Sequence, residues 1–162
     1  MRSWPIPALV AVALLGSGSA AYADATAFLG LATTPVNRST RGFAIGFGFL
    51  IIGFEFEYSN AIEKQTWDEV APALKTGMFN GLVQMPFPVY RMQFYGTAGG
   101  GVYHERLDVA QETNVGWNVG GGVKITIVGP LRIRVDYRVF HLNGQPIYPH
   151  PQRVYAGLNL AF

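Results

Sequence analysis

Apolar and polar residues alternate along most of this chain with a period of two. In "LRIRVDYR", residues 131–138, Leu131, Ile133, Val135 and Tyr137 fall on one face. Arg132, Arg134, Asp136 and Arg138 fall on the other. Successive side chains of a strand point to opposite sides, so this is a strand with one apolar and one charged face. The same split recurs in "IGFEFEYS", where Ile52, Phe54, Phe56 and Tyr58 oppose Gly53, Glu55 and Glu57. It recurs again at Phe43, Ile45, Phe47 and Phe49, and at Val154, Ala156, Leu158, Leu160 and Phe162. Helical spacing is nearly absent. The pattern predicts eight strands, at roughly 25–34, 41–50, 52–60, 73–85, 91–104, 114–126, 130–141 and 151–162. For the first run the facing is ambiguous, because Phe28 and Leu29 compete for the same side.

The connections between these runs alternate in kind. Those near Leu50–Ile51, at "PFPV" and at "IVGP" are tight. Residues 35–40, 61–72, 105–113 and 142–150 form longer connections. The segment "NAIEKQTWDEVAPALK" reads as one of these long loops, with room for a helical turn that Pro72 limits. Long and short connections thus fall at opposite ends of the sheet, as in barrels with short periplasmic turns and longer external loops. An even strand number brings both termini to the periplasmic end.

A strand with one apolar face fits a soluble sandwich or a barrel with lipid outside. Composition separates them. Apolar residues are 49% of the chain and charged residues 14%, where soluble domains carry roughly 25% charged residues. No apolar run after the N-terminal segment is long enough for a membrane helix. Aromatic residues, 14% of the chain, stand near strand ends at Tyr58, Phe87, Tyr90, Tyr103, Trp117, Phe140 and Tyr155, as interfacial girdles do. The strands are also as long as tilted membrane strands, and the chain ends on the aromatic Phe162.

The N-terminus has the build of a secretory signal: a positive Arg2, an apolar stretch from Ile6 to Leu15, and the triplet Ala21-Tyr22-Ala23. Residues 1–23 are expected to be removed after Ala23, leaving one domain, 24–162. The formal charge of +2 includes Arg2, so the remaining chain is close to neutral and its scattered basic residues do not suggest nucleic-acid binding. There is no cysteine, which excludes disulfides, thiolate metal sites and a cysteine nucleophile.

Taken together, "GFEFEYS", "YGTAGGGVY", "GWNVGGGVKI", "LRIRVDYR" and the ending "YAGLNLAF" make the chain resemble the OmpA-like family of small outer-membrane β-barrels. The ending is similar to their C-terminal assembly signal, carried here by Tyr155, Gly157, Leu160 and Phe162. The resemblance implies an all-β, eight-stranded antiparallel up-and-down transmembrane barrel in the bacterial outer membrane. It implies insertion by the barrel-assembly machinery, contact with outer-membrane lipid and lipopolysaccharide, and room for a surface ligand on the external loops. No particular activity follows from the fold.

The alternation puts Glu55, Glu57, Arg132, Arg134, Asp136 and Arg138 on lumen faces. An eight-stranded barrel is just wide enough to be filled by side chains, and a lone buried charge is costly. These residues are therefore expected to pair and fill the bore, with Asn80, Gln84, Asn118, Lys124, Arg153 and Asn159 extending the network. A structural or surface-interaction role follows, and a narrow channel for small or apolar molecules is the alternative. His104, His141 and His150 have no ligand spacing, so neither a metal nor a cofactor is expected. "RVFHLNG" is faintly similar to a lipid A deacylase motif but lacks its serine, and after residue 23 the only serines are Ser39 and Ser59. No catalytic residue is assigned, and no enzyme is expected. The phrases "TAGGGVYHERL" and "NVGGGVKITIV" carry glycine triplets without a phosphate-loop or dinucleotide context. They read as devices for strand curvature.

Overall fold

The computed structural model describes residues 21–67 and 70–162. Its strands are β1 (Ala21–Ala32), β2 (Arg38–Phe49), β3 (Ile52–Ala61), β4 (Lys64–Gln65), β5 (Val70–Ala71), β6 (Ala73–Gln84), β7 (Met92–Leu107), β8 (Ala110–Val128), β9 (Leu131–Leu142) and β10 (Gln152–Ala161). The eight long strands close into an antiparallel barrel in the order β1-β10-β9-β8-β7-β6-β3-β2, while β4 and β5 form a separate small hairpin. Closure comes from β1 pairing with β10, from Asp24 opposite Ala161 to Ala32 opposite Arg153. A closed barrel leaves no unpaired strand edge.

Alternation sorts the two faces as expected, and the polar face is inside. Glu57, Asn80, Arg134, Arg138 and Asn159 are fully buried, whereas Phe47, Val83 and Leu158 are more than half exposed. A soluble protein buries its large apolar side chains and exposes its charges. Here the outer wall is a continuous apolar band, the arrangement of a barrel with lipid outside. The ambiguity on β1 resolves in favour of Phe28 inside and Leu29 outside, at 3% and 71% exposure.

Three of the sequence expectations change. The connection expected at 105–113 is strand: β7 and β8 run on to pair Leu107 with Ala110, leaving the turn Asp108–Val109. Asp108 takes φ 52°, a left-handed conformation that Asp tolerates. Polar residues there come in runs, Glu105-Arg106 and Gln111-Glu112-Thr113, which hides the strand from a reading by alternation. The segment 61–72 carries β4 and β5 and, among its described residues, no helical turn. Finally, Tyr103, Phe140 and Tyr155 do not join an outer aromatic girdle. They face the lumen at 1–3% exposure, while Phe87, Tyr90 and Trp117 do face out.

The glycine triplets lie in the wall. Gly99 and Gly101 on β7, and Gly120 and Gly122 on β8, face inward. A Cβ at any of them would meet a carbonyl oxygen of the neighbouring strand at 2.0–2.2 Å: Phe79 or Gly77 on β6, Tyr137 or Val135 on β9. Only glycine permits so close a backbone approach. At the outward Gly96, by contrast, a Cβ would meet nothing within 4 Å.

Candidate functional site

The lumen is occupied by a ladder of ion pairs that joins strands which are not neighbours in the wall. Arg134 and Arg138 project from β9 and meet Glu55 on β3. Arg134 forms a two-pronged contact with Glu55, one prong being Nη2 to Oε1 at 3.2 Å. Arg138 donates to the same carboxylate from Nη2 at 2.9 Å. Asp136, two residues from each arginine on the same face, accepts from Arg138 Nε at 2.9 Å and lies 3.2 Å from Arg134 Nη2. The spacing of two along β9 therefore interleaves one carboxylate between two guanidinium groups.

Above this centre, Glu57 stands 3.2 Å from Arg138 Nη1 and accepts from Arg153 Nη2 at 2.5 Å. Arg153 also donates to Ser59 Oγ at 2.7 Å, and Ser59 shares a 2.8 Å hydrogen bond with Thr76. Its guanidinium lies 5.0–5.2 Å from the ring centres of Phe28, Phe140 and Tyr155, so it is held by stacking as well as charge. Below the centre, Tyr95 accepts from Arg134 Nε at 2.6 Å and donates to Asp136. Lys124 then meets Asp24 at 2.5 Å. Asn118 donates to Asn80 at 2.8 Å and Asn159 to Thr26 at 2.9 Å.

Asp24, Glu55, Glu57 and Asp136 thus balance Lys124, Arg134, Arg138 and Arg153, four charges of each sign. Burying charge is costly unless each charge is paired, and every charge of this ladder has an ion partner, although Glu57 Oε2, Arg138 Nη1 and Arg153 Nε make no hydrogen bond. Of the residues expected here, Glu55, Glu57, Arg134, Asp136 and Arg138 come together. Arg132 does not join them: it sits lower on β9, where Nη1 reaches Gln93 at 3.5 Å. Asp24 and Tyr95 are members that alternation alone did not single out. Asp24 fell at the expected start of the processed chain, and a tyrosine beside a glycine-rich stretch carries no charge signal.

The connection between β9 and β10 is held against β7 and β8. Tyr103 donates to the Asn143 carbonyl at 2.5 Å, the Gln145 amide donates to Glu112 at 2.6 Å and the Ile147 amide to Glu105 at 2.8 Å. These bonds tie residues 143–147 to β7 and β8 at the end of the barrel away from the termini. Glu105 lies above the apolar band. Burial pushes its carboxyl above the usual carboxylate range, against the Ile147 amide and Arg38, which pull it down.

His141 and His150 meet outside the wall, Nδ1 to Nε2 at 2.9 Å, with the His141 ring stacked on Trp117. His104 bonds Thr113 at 2.7 Å instead. Among the described residues no group of three or more His, Cys, Asp and Glu could hold a metal ion. Ser59 faces the lumen and His141 faces out, so the barrel wall separates them. Of the C-terminal residues, Tyr155 and Gly157 face inward, while Leu160 and Phe162 are exposed. Phe162 exchanges backbone hydrogen bonds with Ala23 at 2.8 and 2.9 Å. Ala21–Ala23, the expected processing triplet, form the first rungs of β1 against β2, and residues 1–20 lie outside the described residues.

No protein-family model matches the sequence, and no curated protein matches it. Solved structures do match in shape. The N-terminal β-barrel domain of Pseudomonas aeruginosa OprF superposes with TM-score 0.63 at 14% identity, covering 87% of this chain and 97% of that one. Neisserial surface protein A (NspA) gives TM-score 0.61 at 12% identity, covering 87% and 94%. P. aeruginosa outer membrane protein H (OprH) gives 0.55 at 14%, covering 89% and 100%. At such identities the likeness concerns the fold. With its closed order, its apolar exterior and its charged bore, this chain has the fold of the small eight-stranded outer-membrane β-barrels, the architecture its OmpA-like sequence pattern implies.

Proposed function

We propose that this is an outer-membrane barrel with a closed lumen, acting as a structural or surface-interacting element of the cell envelope, without catalysis or conduction. One observation carries the reading. Arg134, Arg138, Glu55, Glu57 and Asp136 cross the bore at 0–1% exposure, so charged side chains stand where a pore would hold water. The hydrogen bonds that hold the β9–β10 connection against β7 and β8 support it. In this reading residues 1–23 direct export and are removed after Ala23. Tyr155, Gly157, Leu160 and Phe162 present the last strand to the assembly machinery. Lipid and lipopolysaccharide surround the apolar band, and a surface ligand would meet the external loops.

Planar-bilayer recording tests the closed bore. Purified protein inserted into the bilayer is expected to leave the current at baseline. Large, stable single-channel steps would overturn the reading in favour of a narrow channel.

A further inference from the structure

The lysines and arginines among the described residues divide into two populations. Lys124, Arg134, Arg138 and Arg153 form ion pairs in the lumen. Arg38, Lys64 and Arg91 donate to backbone carbonyls, and Arg132 to Gln93. Three remain. Among the described residues, Arg41, Lys75 and Arg106 have neither a hydrogen-bond nor an ion-pair partner. All three are exposed, and all three occupy one sector of the outer wall.

The register joins them in one slanting row, which climbs from β2 toward β7 because the strands of a closed barrel are tilted, so Lys75 and Arg106 stand higher than Arg41. Arg41 on β2 is opposite Asn60 on β3, which is opposite Lys75 on β6, which is opposite His104 on β7, which is opposite Thr113 on β8. Arg106 lies two residues further out on β7, opposite Ala73. Parity settles the facing. Arg41 shares its face with Phe43, Lys75 with Phe79, and Arg106 with Val102, all exposed apolar residues of the outer band. Strands lie about 4.8 Å apart, so Arg41 and Lys75 are roughly 10 Å apart at the backbone, within reach of one group for two long side chains. Asn60, Lys75, His104 and Arg106 line a single pocket of about 360 Å³. Its one carboxylate, Glu63, already accepts from Gln65 at 2.9 Å.

Directly below this row lies an apolar groove of about 880 Å³. Arg41 and Asn60 form its upper edge, and Leu29, Phe43, Ile133 and Leu158 form its sides. Its floor is low because Ala27 and Ala156 present only methyl groups between those larger side chains. Unpartnered cations at one end of an apolar groove, on the surface that faces lipid, match a ligand with a phosphate at one end and a hydrocarbon chain at the other.

We propose that the rim of β3, β6 and β7 binds the phosphate of an outer-leaflet glycolipid through Lys75 and Arg106, with Arg41 lower down at the edge of the groove beside β1 and β10, which takes an acyl chain of that lipid. The proposal rests on the membrane reading and is independent of whether the lumen conducts. The site adjoins the exposed apolar band of the outer wall, so the occupant it fits is a lipid and not a soluble anion.

The test uses the full barrel in phosphatidylcholine nanodiscs doped with bisphosphorylated lipid A. Lipids retained by the extracted protein are counted by native mass spectrometry. The wild type is expected to enrich lipid A over phosphatidylcholine. Each basic residue near a lipid surface contributes about fivefold in affinity, so R41Q/K75Q/R106Q is expected to lose on the order of a hundredfold. A K64Q/R91Q control, whose lysine and arginine already hold backbone carbonyls, should keep the enrichment. High salt should lower it in the wild type, a readout that needs no variant.

Equal retention by the triple variant would overturn the proposal. So would phosphatidylglycerol enriched as strongly as lipid A, which would mean bulk attraction of anionic lipid. Displacement of lipid A by inorganic phosphate would overturn the lipid assignment in favour of a free anion. A wild-type chain that shows no heat-modifiable migration would fail the membrane reading and this proposal with it. A heat-modifiable barrel that takes lipid A and phosphatidylcholine alike would fail this proposal alone.

Discussion

Replacing Glu55 by glutamine tests the charge ladder where it is most connected. Glu55 is 1% exposed and contacts both Arg134 and Arg138, which are fully buried. The substitution keeps size and shape and removes one negative charge. In the central group it leaves Arg134, Arg138 and Arg153 facing only Glu57 and Asp136, one uncompensated positive charge away from water. Breaking a buried pair in this way costs about 3–5 kcal/mol. The companion R138M has the opposite imbalance and should cost a similar amount. The double variant E55Q/R138M is neutral again, with Arg134 on Asp136 and Arg153 on Glu57. It should lose no more than either single change, a coupling at or above the upper end of the ~0.5–3 kcal/mol usual for contacting residues. Urea unfolding in phospholipid vesicles, followed by tryptophan fluorescence and by the mobility of unheated protein on gels, measures all three. A loss below about 1 kcal/mol for E55Q, or additive losses in the double variant, would show that water or mobility screens these charges and would refute the ladder.

Four further outcomes are expected. Gly101→Ala brings a methyl group against the Gly77 carbonyl and should cost about 1–3 kcal/mol, while Gly96→Ala, with open space around it, should stay within about 0.5 kcal/mol of wild type; equal effects would contradict the crowding. R153K cannot serve Glu57, Ser59 and three aromatic rings together, and should lose about 1–2 kcal/mol in the same urea assay, with an unchanged midpoint counting against the stacked fork. The buried Glu105 carboxyl is raised, so the folded state holds its proton more tightly than the unfolded chain does. Its contribution is fully present below the unfolded-state value and is lost as pH rises from there through the folded-state value. E105Q should therefore be more stable than wild type at pH 7, with the gap narrowing as the pH falls toward 5 in thermal melts; a widening gap would reverse the sign. Intact-mass measurement of protein taken from membranes should give a chain starting at Asp24, and a mass retaining Tyr22 would contradict processing after Ala23.

Period-two alternation was enough to read the eight long strands, the faces of all but β1, and the tight turns, because a strand needs nothing but its own sequence to alternate. It also identified Glu55, Arg134 and Asp136 as inward. It did not give their height along the bore or their partners across it. Arg132 and Arg134 look alike in sequence, yet only Arg134 reaches Glu55. β9 and β3 are separated in the wall, and their contact depends on tilt and closure, which one chain read end to end does not display. The same limit hid the pairing of Asp24 with Lys124, 100 residues apart. At 105–113 the run of polar residues reads as a loop, but the backbone keeps the pairing of β7 with β8 up to Leu107 and Ala110. The outer cationic row was equally hidden: Arg41, Lys75 and Arg106 are ordinary scattered charges until register aligns them.

The glycine triplets of β7 and β8 act on the ion pairs without touching them electrostatically. By letting the neighbouring strands β6 and β9 crowd in, they set the calibre of the bore. A carboxylate from one wall and a guanidinium from another can meet only if that calibre matches the combined reach of two side chains. The uncharged residues thus decide whether the charged ones can pair. Substitutions at Gly99, Gly101, Gly120 or Gly122 would change the gauge of the tube and pull the ladder apart with every acid and base still in place.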